Sequence, residues 1–203
     1  MRNNSKHLNF QSWKGCLWNF FNGMCGVSLT NKYWCNLCRA PSLRSLRLDY
    51  FPKVTNVGFV EAIRNFPLLE ELELSYCHGV TDPRVFELVA ELCPRMKRFR
   101  HIIYPGDLYY EYNSADPDCD VEALAIAGMH QLRSLQLIRN TLTNKGLDAI
   151  IDNCPNLEFL DMHGCGNIVM DKAMRAKCAR MKRDIRIDTM HHIFRSYPVS
   201  WCN

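Results

Sequence analysis

The feature that most constrains this chain is an internal repeat. Leu43-Arg-Ser-Leu46-Arg-Leu48 returns as Leu69-Glu-Glu-Leu72-Glu-Leu74, as Leu132-Arg-Ser-Leu135-Gln-Leu137 and as Leu157-Glu-Phe-Leu160-Asp-Met162, with a degenerate copy at Met96-Lys-Arg-Phe99-Arg. Three residues beyond the last apolar position stand Cys77, Asn140 and Cys165, and Phe51 takes that place in the first copy. The copies start at 43, 69, 96, 132 and 157, with a weak sixth at Met181, so the spacings are 26, 27, 36, 25 and 24. The third unit therefore carries about ten extra residues, the form an insertion takes in a repeat. A unit of this size cannot bury its own apolar face, so the units must stack and share one continuous core.

Within each unit the apolar period changes from 2 to about 3.6, which reads as a short strand followed by a helix. Helix punctuation supports this. Thr55-Asn56 opens the first helix, with Phe59, Val60 and Ile63 on its inner face and Pro67 closing it. Thr81-Asp82-Pro83 offers a cap and a proline at the first helical position, and Cys93-Pro94 ends that helix. Thr143-Asn144 to Cys154-Pro155 repeats the pattern, and Asp171 opens the last helix. The frame L-x-x-L-x-L-x-x-N/C is that of leucine-rich repeats. The expected fold is α/β: a right-handed leucine-rich-repeat solenoid of about five to six strand-turn-helix units, with parallel strands on the concave face.

The solenoid is expected over residues 41–188, with the insertion at 103–120 and a tail at 189–203 that has no repeat character. Residues 1–40 hold no acidic residue; they combine Arg2, Lys6, Lys14, Lys32 and Arg39 with Phe10, Trp13, Trp18, Phe20, Phe21, Tyr33 and Trp34. Two readings fit this segment. It can cap the apolar end of the first repeat, or grip single-stranded nucleic acid through phosphate pairing and base stacking. The cap is preferred, because no known RNA-binding motif is present and a formal charge of +4 over 203 residues is too small to argue for nucleic acid.

No stretch approaches the roughly 20 apolar residues of a membrane span, and Met1 to Phe10 lacks the apolar core of a secretory signal, so the expected compartment is the cytoplasm or nucleus. Eleven cysteines in such a setting read as thiols rather than a disulfide framework. Cys77 and Cys165 fall where the frame turns a small side chain inward, and Cys93, Cys154 and Cys178 recur at helix ends. Cys35 and Cys38, with Cys16 and Cys25 upstream, lack the second close pair of the usual zinc arrangement, so no metal is expected. His191-His192 reads as a solvated pair. No G-x-S-x-G, H-E-x-x-H or Walker pattern occurs, so neither an enzyme nor a cofactor is expected.

Strand side chains alternate, so with the leucines inward the residues between them face outward on the concave side. The outward set is Ser45, Arg47, Asp49; Glu71, Glu73, Ser75; Arg98, Arg100, Ile102; Ser134, Gln136, Ile138; and Phe159, Asp161, His163. Arg47, Glu73, Arg100, Gln136 and Asp161 should form one row of neighbours of mixed charge. Such a row is either a cross-strand ladder alone or a surface for a protein partner, and the two readings combine. The insertion holds Tyr104, Tyr109, Tyr110 and Tyr112 beside Asp107, Glu111, Asp116, Asp118 and Asp120. It is a second candidate contact, through Tyr109 and Tyr110, or else an acidic loop covering Lys97, Arg98, Arg100 and His101.

On the run Leu69-Glu-Glu-Leu-Glu-Leu-Ser-Tyr-Cys77, followed by Val80-Thr-Asp82 and Cys93-Pro94, and on its echo in Cys154-Pro155 and Leu157 to Cys165, the chain resembles the cysteine-containing repeats of plant F-box/LRR-repeat proteins over about residues 40–188. The resemblance implies a protein-interaction module whose repeats hold a substrate protein. An F-box nearer the N-terminus would dock on the Skp-type adaptor of a cullin-based (SCF-type) ubiquitin ligase. The Leu-Pro opening and Cys-x-x-Trp-Arg-like close of an F-box are not found among residues 1–40. The adaptor is therefore expected only if the full-length product carries an F-box. The alternative is a ligase-independent repeat scaffold or a truncated F-box/LRR product.

Overall fold

The computed structural model describes residues 7–9, 42–51, 54–80, 82–103, 119–180 and 184–188. Seven strands form one parallel sheet in chain order: β1 (His7–Asn9), β2 (Ser45–Asp49), β3 (Glu71–Ser75), β4 (Arg98–Ile102), β5 (Ser134–Ile138), β6 (Phe159–His163) and β7 (Asp184–Asp188). From β2 onward they alternate with helices α1 (Asn56–Ile63), α2 (Val85–Leu92), α3 (Val121–Ala127), α4 (Asn144–Asn153) and α5 (Lys172–Arg180). The chain is thus a leucine-rich-repeat solenoid of five strand-helix units and a closing strand, flanked at its first edge by the short β1. No described helix is long and apolar enough to cross a membrane.

The leucines are the reason the units stack. Leu46, Leu72, Phe99, Leu135 and Leu160 lie side by side across five adjoining strands. All are buried, in one core shared with Phe59, Phe86, Leu147 and Ile150 from the helices. At roughly 25 cal/mol per Å² of apolar surface removed from water, this shared interior is what no single unit could supply. Phe86 of α2 meets Phe99 of β4 edge-on, with ring centroids 5.4 Å apart.

Polar side chains tie each unit to the one before. The Cys77 thiol donates to the Leu48 carbonyl (3.6 Å), Cys93 to Phe66 (3.6 Å), Cys154 to Met129 (3.7 Å) and Cys165 to Leu137 (3.2 Å). Burial pushes the Cys77 thiol up to about 11 and those of Cys93 and Cys165 to about 12. Asn144 brackets the next unit, accepting from the Val169 amide and donating to the Val169 carbonyl (both 2.8 Å).

Thr55 and Thr143 cap α1 and α4, accepting from the amides of Gly58 and Lys145 (3.2 Å each), and Asp171 accepts from the Met174 amide at the start of α5 (2.7 Å). The second helix differs from expectation. It begins at Val85, and Arg84 at its N-cap offers no side-chain cap. Pro83 lies in the preceding turn, where its carbonyl accepts from the Phe86 amide. The Asp82 carboxylate turns to Arg84, chelating its guanidinium (3.0 Å from both Nε and Nη2) and accepting from its amide (3.0 Å), which holds the carboxyl below the usual range.

The last strand also differs. A copy starting at Met181 would set Asp184 beside Leu160, but Ile185 and Ile187 are the residues that align with Leu160 and Met162. Both isoleucines pack on the core, so burial moves the register by one residue. At the other edge, His7–Asn9 pairs with Ser45–Arg47, a strand that the leucine frame gives no sign of. The expectations placed on residues 10–40, including Cys16, Cys25, Cys35 and Cys38, and those on Tyr104 to Asp118 and on His191-His192, lie outside the described residues.

The third unit is built on different chemistry. His101 occupies the inward position held by Leu74 on one side and Leu137 on the other. Its Nδ1 lies 2.7 Å from Glu122 Oε1 of α3, and Asn140 donates to Glu122 Oε2 (2.9 Å) while accepting from the Leu142 amide (2.9 Å). The imidazole also packs 5.2 Å from the Phe86 ring. Beside this network Asp120 reaches into α4, accepting from Thr143 N and Oγ1 (2.8 Å each) and from Gly146 N (3.1 Å). Gly146 makes room for it: a Cβ there would stand 2.5 Å from Asp120 Oδ1 and 2.7 Å from Ala123 Cβ.

Candidate protein-binding face

Because the strands are parallel and in register, their outward side chains form rows across the sheet. One runs Ser45, Glu71, Arg98, Ser134, Phe159, Asp184; the next Arg47, Glu73, Arg100, Gln136, Asp161, Arg186; the third Asp49, Ser75, Ile102, Ile138, His163. Nine of the eleven residues singled out from the sequence lie in these rows: Arg47, Glu71, Glu73, Arg98, Arg100, Gln136, Phe159, Asp161 and His163. Tyr109 and Tyr110 lie outside the described residues.

Opposite charges meet across neighbouring strands. Glu73 takes Arg47 on one side (2.5 Å) and Arg100 on the other (3.4 Å), and also accepts from Ser75 Oγ (3.1 Å). Arg98 pairs with Glu71 at 2.6 Å. Further along, Gln136 Nε2 donates to Asp161 Oδ2 (3.4 Å), and the Arg186 guanidinium sits 5.4 Å from the centre of the Phe159 ring. Exposed pairs of this kind contribute about 0–1 kcal/mol each, so they set the surface potential more than the stability. Among the described residues no cluster of three His, Cys, Asp or Glu side chains could hold a metal ion.

No family profile matches the chain. It is 38% identical over 155 residues to F-box/LRR-repeat protein 21 of Arabidopsis thaliana, covering 71% of this chain and 50% of the relative. It is 41% identical over 149 residues to F-box/LRR-repeat protein 22 (73% and 45%) and 39% identical over 158 residues to F-box protein SKIP19 (76% and 48%), both of the same plant. The repeat region is thus similar to that of plant F-box/LRR-repeat proteins. It spans about half the length of the curated relatives it matches. The tropomodulin C-terminal domain of Caenorhabditis elegans superposes with a TM-score of 0.50 at 9% identity, over 74% of this chain and 92% of that domain, a likeness of fold alone.

The structure adds a fourth row that the leucine frame alone does not give. Arg44, Glu70, Lys97, Arg133 and Glu158 stand just ahead of the strands, joined by a backbone ladder from each amide to the previous unit's carbonyl. Glu70 pairs with Arg44 and with Lys97 (2.8 Å), and Arg133 with Glu158 (3.3 Å). The Lys97 ammonium, with Arg44 beyond it, holds the Glu70 carboxyl below its usual range. The available signal is that the residue after each leading apolar position is charged in all five copies. Arg186 was missed for a different reason: it enters the Arg47 row only in the shifted register of β7.

Proposed function

We propose that this chain is the substrate-recognition part of an SCF-type (Skp/cullin/F-box) ubiquitin ligase acting in ubiquitin-dependent protein degradation, in the cytoplasm or nucleus. The observation that carries the reading is the kinship of the repeat region with plant F-box/LRR-repeat proteins, joined to an open sheet face whose side chains stand in four rows. The rows hold a protein substrate, and a Skp-type adaptor is held only if the full-length product carries an F-box. The chain does no chemistry of its own: its role is to place one protein beside another. Extended faces of this kind suit proteins because many weakly contributing positions add up along a partner segment.

A ligase-independent scaffold is the second reading, supported by the sequence of residues 1–40, in which no F-box frame is found. Two measurements separate them. The full-length product and this chain are each incubated with a purified Skp-type adaptor, and a photo-crosslinking residue is placed at Glu73 on the sheet or at Glu91 on α2. The expected result is adaptor capture by the full-length product, and a protein crosslinked from position 73 alone whose level rises when the gene is silenced. Adaptor capture by neither form overturns the ligase reading and leaves the scaffold.

A further inference from the structure

The four rows are not alike along their length. On β2 to β4 and the residues just ahead of them, Glu70, Glu71 and Glu73 stand between two flanks of cations, Arg44 and Arg47 on one side and Lys97, Arg98 and Arg100 on the other. The cationic side chains are 39–67% exposed and the three carboxylates 15–34%. The carboxylates therefore lie low in the surface with their oxygens already engaged, while the cations lie higher. A guanidinium carries five donors, and these pairs use only one or two of each. Arg100 Nε, without a hydrogen-bond partner among the described residues, is buried and is not one of the donors offered to solvent. Asp49, the remaining carboxylate of these strands, stands a row further along. Solvent meets cations on the two strands that flank β3, standing above the carboxylates between them.

We infer that this half of the sheet docks an acidic, extended peptide segment of the partner protein, one carrying Asp or Glu every second or third residue. Strands about 4.8 Å apart place Arg47 and Arg100, two strands from each other, roughly 9.6 Å apart. An extended chain rising about 3.3 Å per residue matches that span in three residues. Planar carboxylates meet guanidinium groups in the bidentate geometry that Arg favours. Nucleic acid is the poorer match, since the outward positions of β2 to β4 carry no aromatic ring on which a base could stack. This inference rests on the sheet being a protein-binding surface, and it names the chemistry of the segment bound there.

The test uses the whole chain and a fluorescent twelve-residue peptide with glutamate at every third position, read by anisotropy. Its controls are a lysine-for-glutamate peptide and a twelve-nucleotide single-stranded DNA. The expected result is binding of the acidic peptide alone, weakening as salt rises. Affinity should fall about tenfold or more in Arg47→Glu/Arg98→Glu and by a smaller factor in Arg47→Gln/Arg98→Gln, which keeps the assay informative if charge reversal harms folding. Lys145→Glu on α4 should leave it unchanged. No binding of the acidic peptide, tighter binding of the DNA, or equal loss in Lys145→Glu overturns the inference. Adaptor capture by the full-length product is scored separately, so the ligase reading stands or falls without this result.

Discussion

The third unit and its neighbours solve the same stacking problem with different materials. Around β2, β3, β5 and β6 the inward pairs are Leu46/Leu48, Leu72/Leu74, Leu135/Leu137 and Leu160/Met162, all buried and all apolar. In β4 the pair is Phe99 and His101, and the imidazole is met by Glu122, which in turn holds Asn140. Three departures from the frame thus become one feature: a histidine for a leucine at 101, an asparagine where Cys77 and Cys165 stand in other units, and a helix that begins after extra residues. A polar group can enter a repeat core only where the adjoining units supply its partners, because an unpaired one costs about 1–3 kcal/mol.

Substitutions can break or sharpen that contrast. The largest effect is expected in an apolar unit: Leu135→Ala should lower stability by about 2–5 kcal/mol through lost burial and the cavity left behind, read as a drop in the urea midpoint at unchanged slope. In the third unit, Glu122→Ala should cost about 2–4 kcal/mol because it strands both the His101 ring nitrogen and the Asn140 amide. Restoring the frame with His101→Leu, Glu122→Leu and Asn140→Cys together should cost less than Glu122→Ala alone, since polar partners removed as a set leave little unsatisfied. A triple variant less stable than that single variant would show the network to be more than a mutual accommodation. The smallest effect is expected at the border. Helix propensity alone would make Gly146→Ala stabilising by about 1 kcal/mol. The contact of the new Cβ with Asp120 and Ala123 should reverse the sign to a loss of about 1–2 kcal/mol by thermal denaturation.

The same contrast explains what could be read from the sequence. Leucine spacing determines which residues turn inward, and strand alternation then places Arg47, Glu73, Arg100, Gln136 and Asp161 in one row without further information. The reading weakens where the apolar signal does. His101 looks like a surface residue because nothing local announces that Glu122 will reach it from 21 positions away. Near Met181 a methionine in roughly the right place outweighed Ile185 and Ile187, which alternate correctly one residue later. At the start of α2 the difference is chemical: Asp82 has an arginine two residues on, and its carboxylate takes both the guanidinium and the amide of Arg84, just ahead of the helix. The exposure difference between cations and carboxylates on β2 to β4 depends on side-chain heights, which no spacing rule encodes.

The thiols that bridge successive units have a practical consequence. An alkylating reagent attacks the thiolate, and with Cys77 pushed to about 11 and Cys165 to about 12 almost none exists at neutral pH while the stack is closed. Labelling at either site then marks the moment its own joint separates. Peptide mapping of a brief alkylation pulse would show which end of the coil lets go first, with no foreign probe introduced.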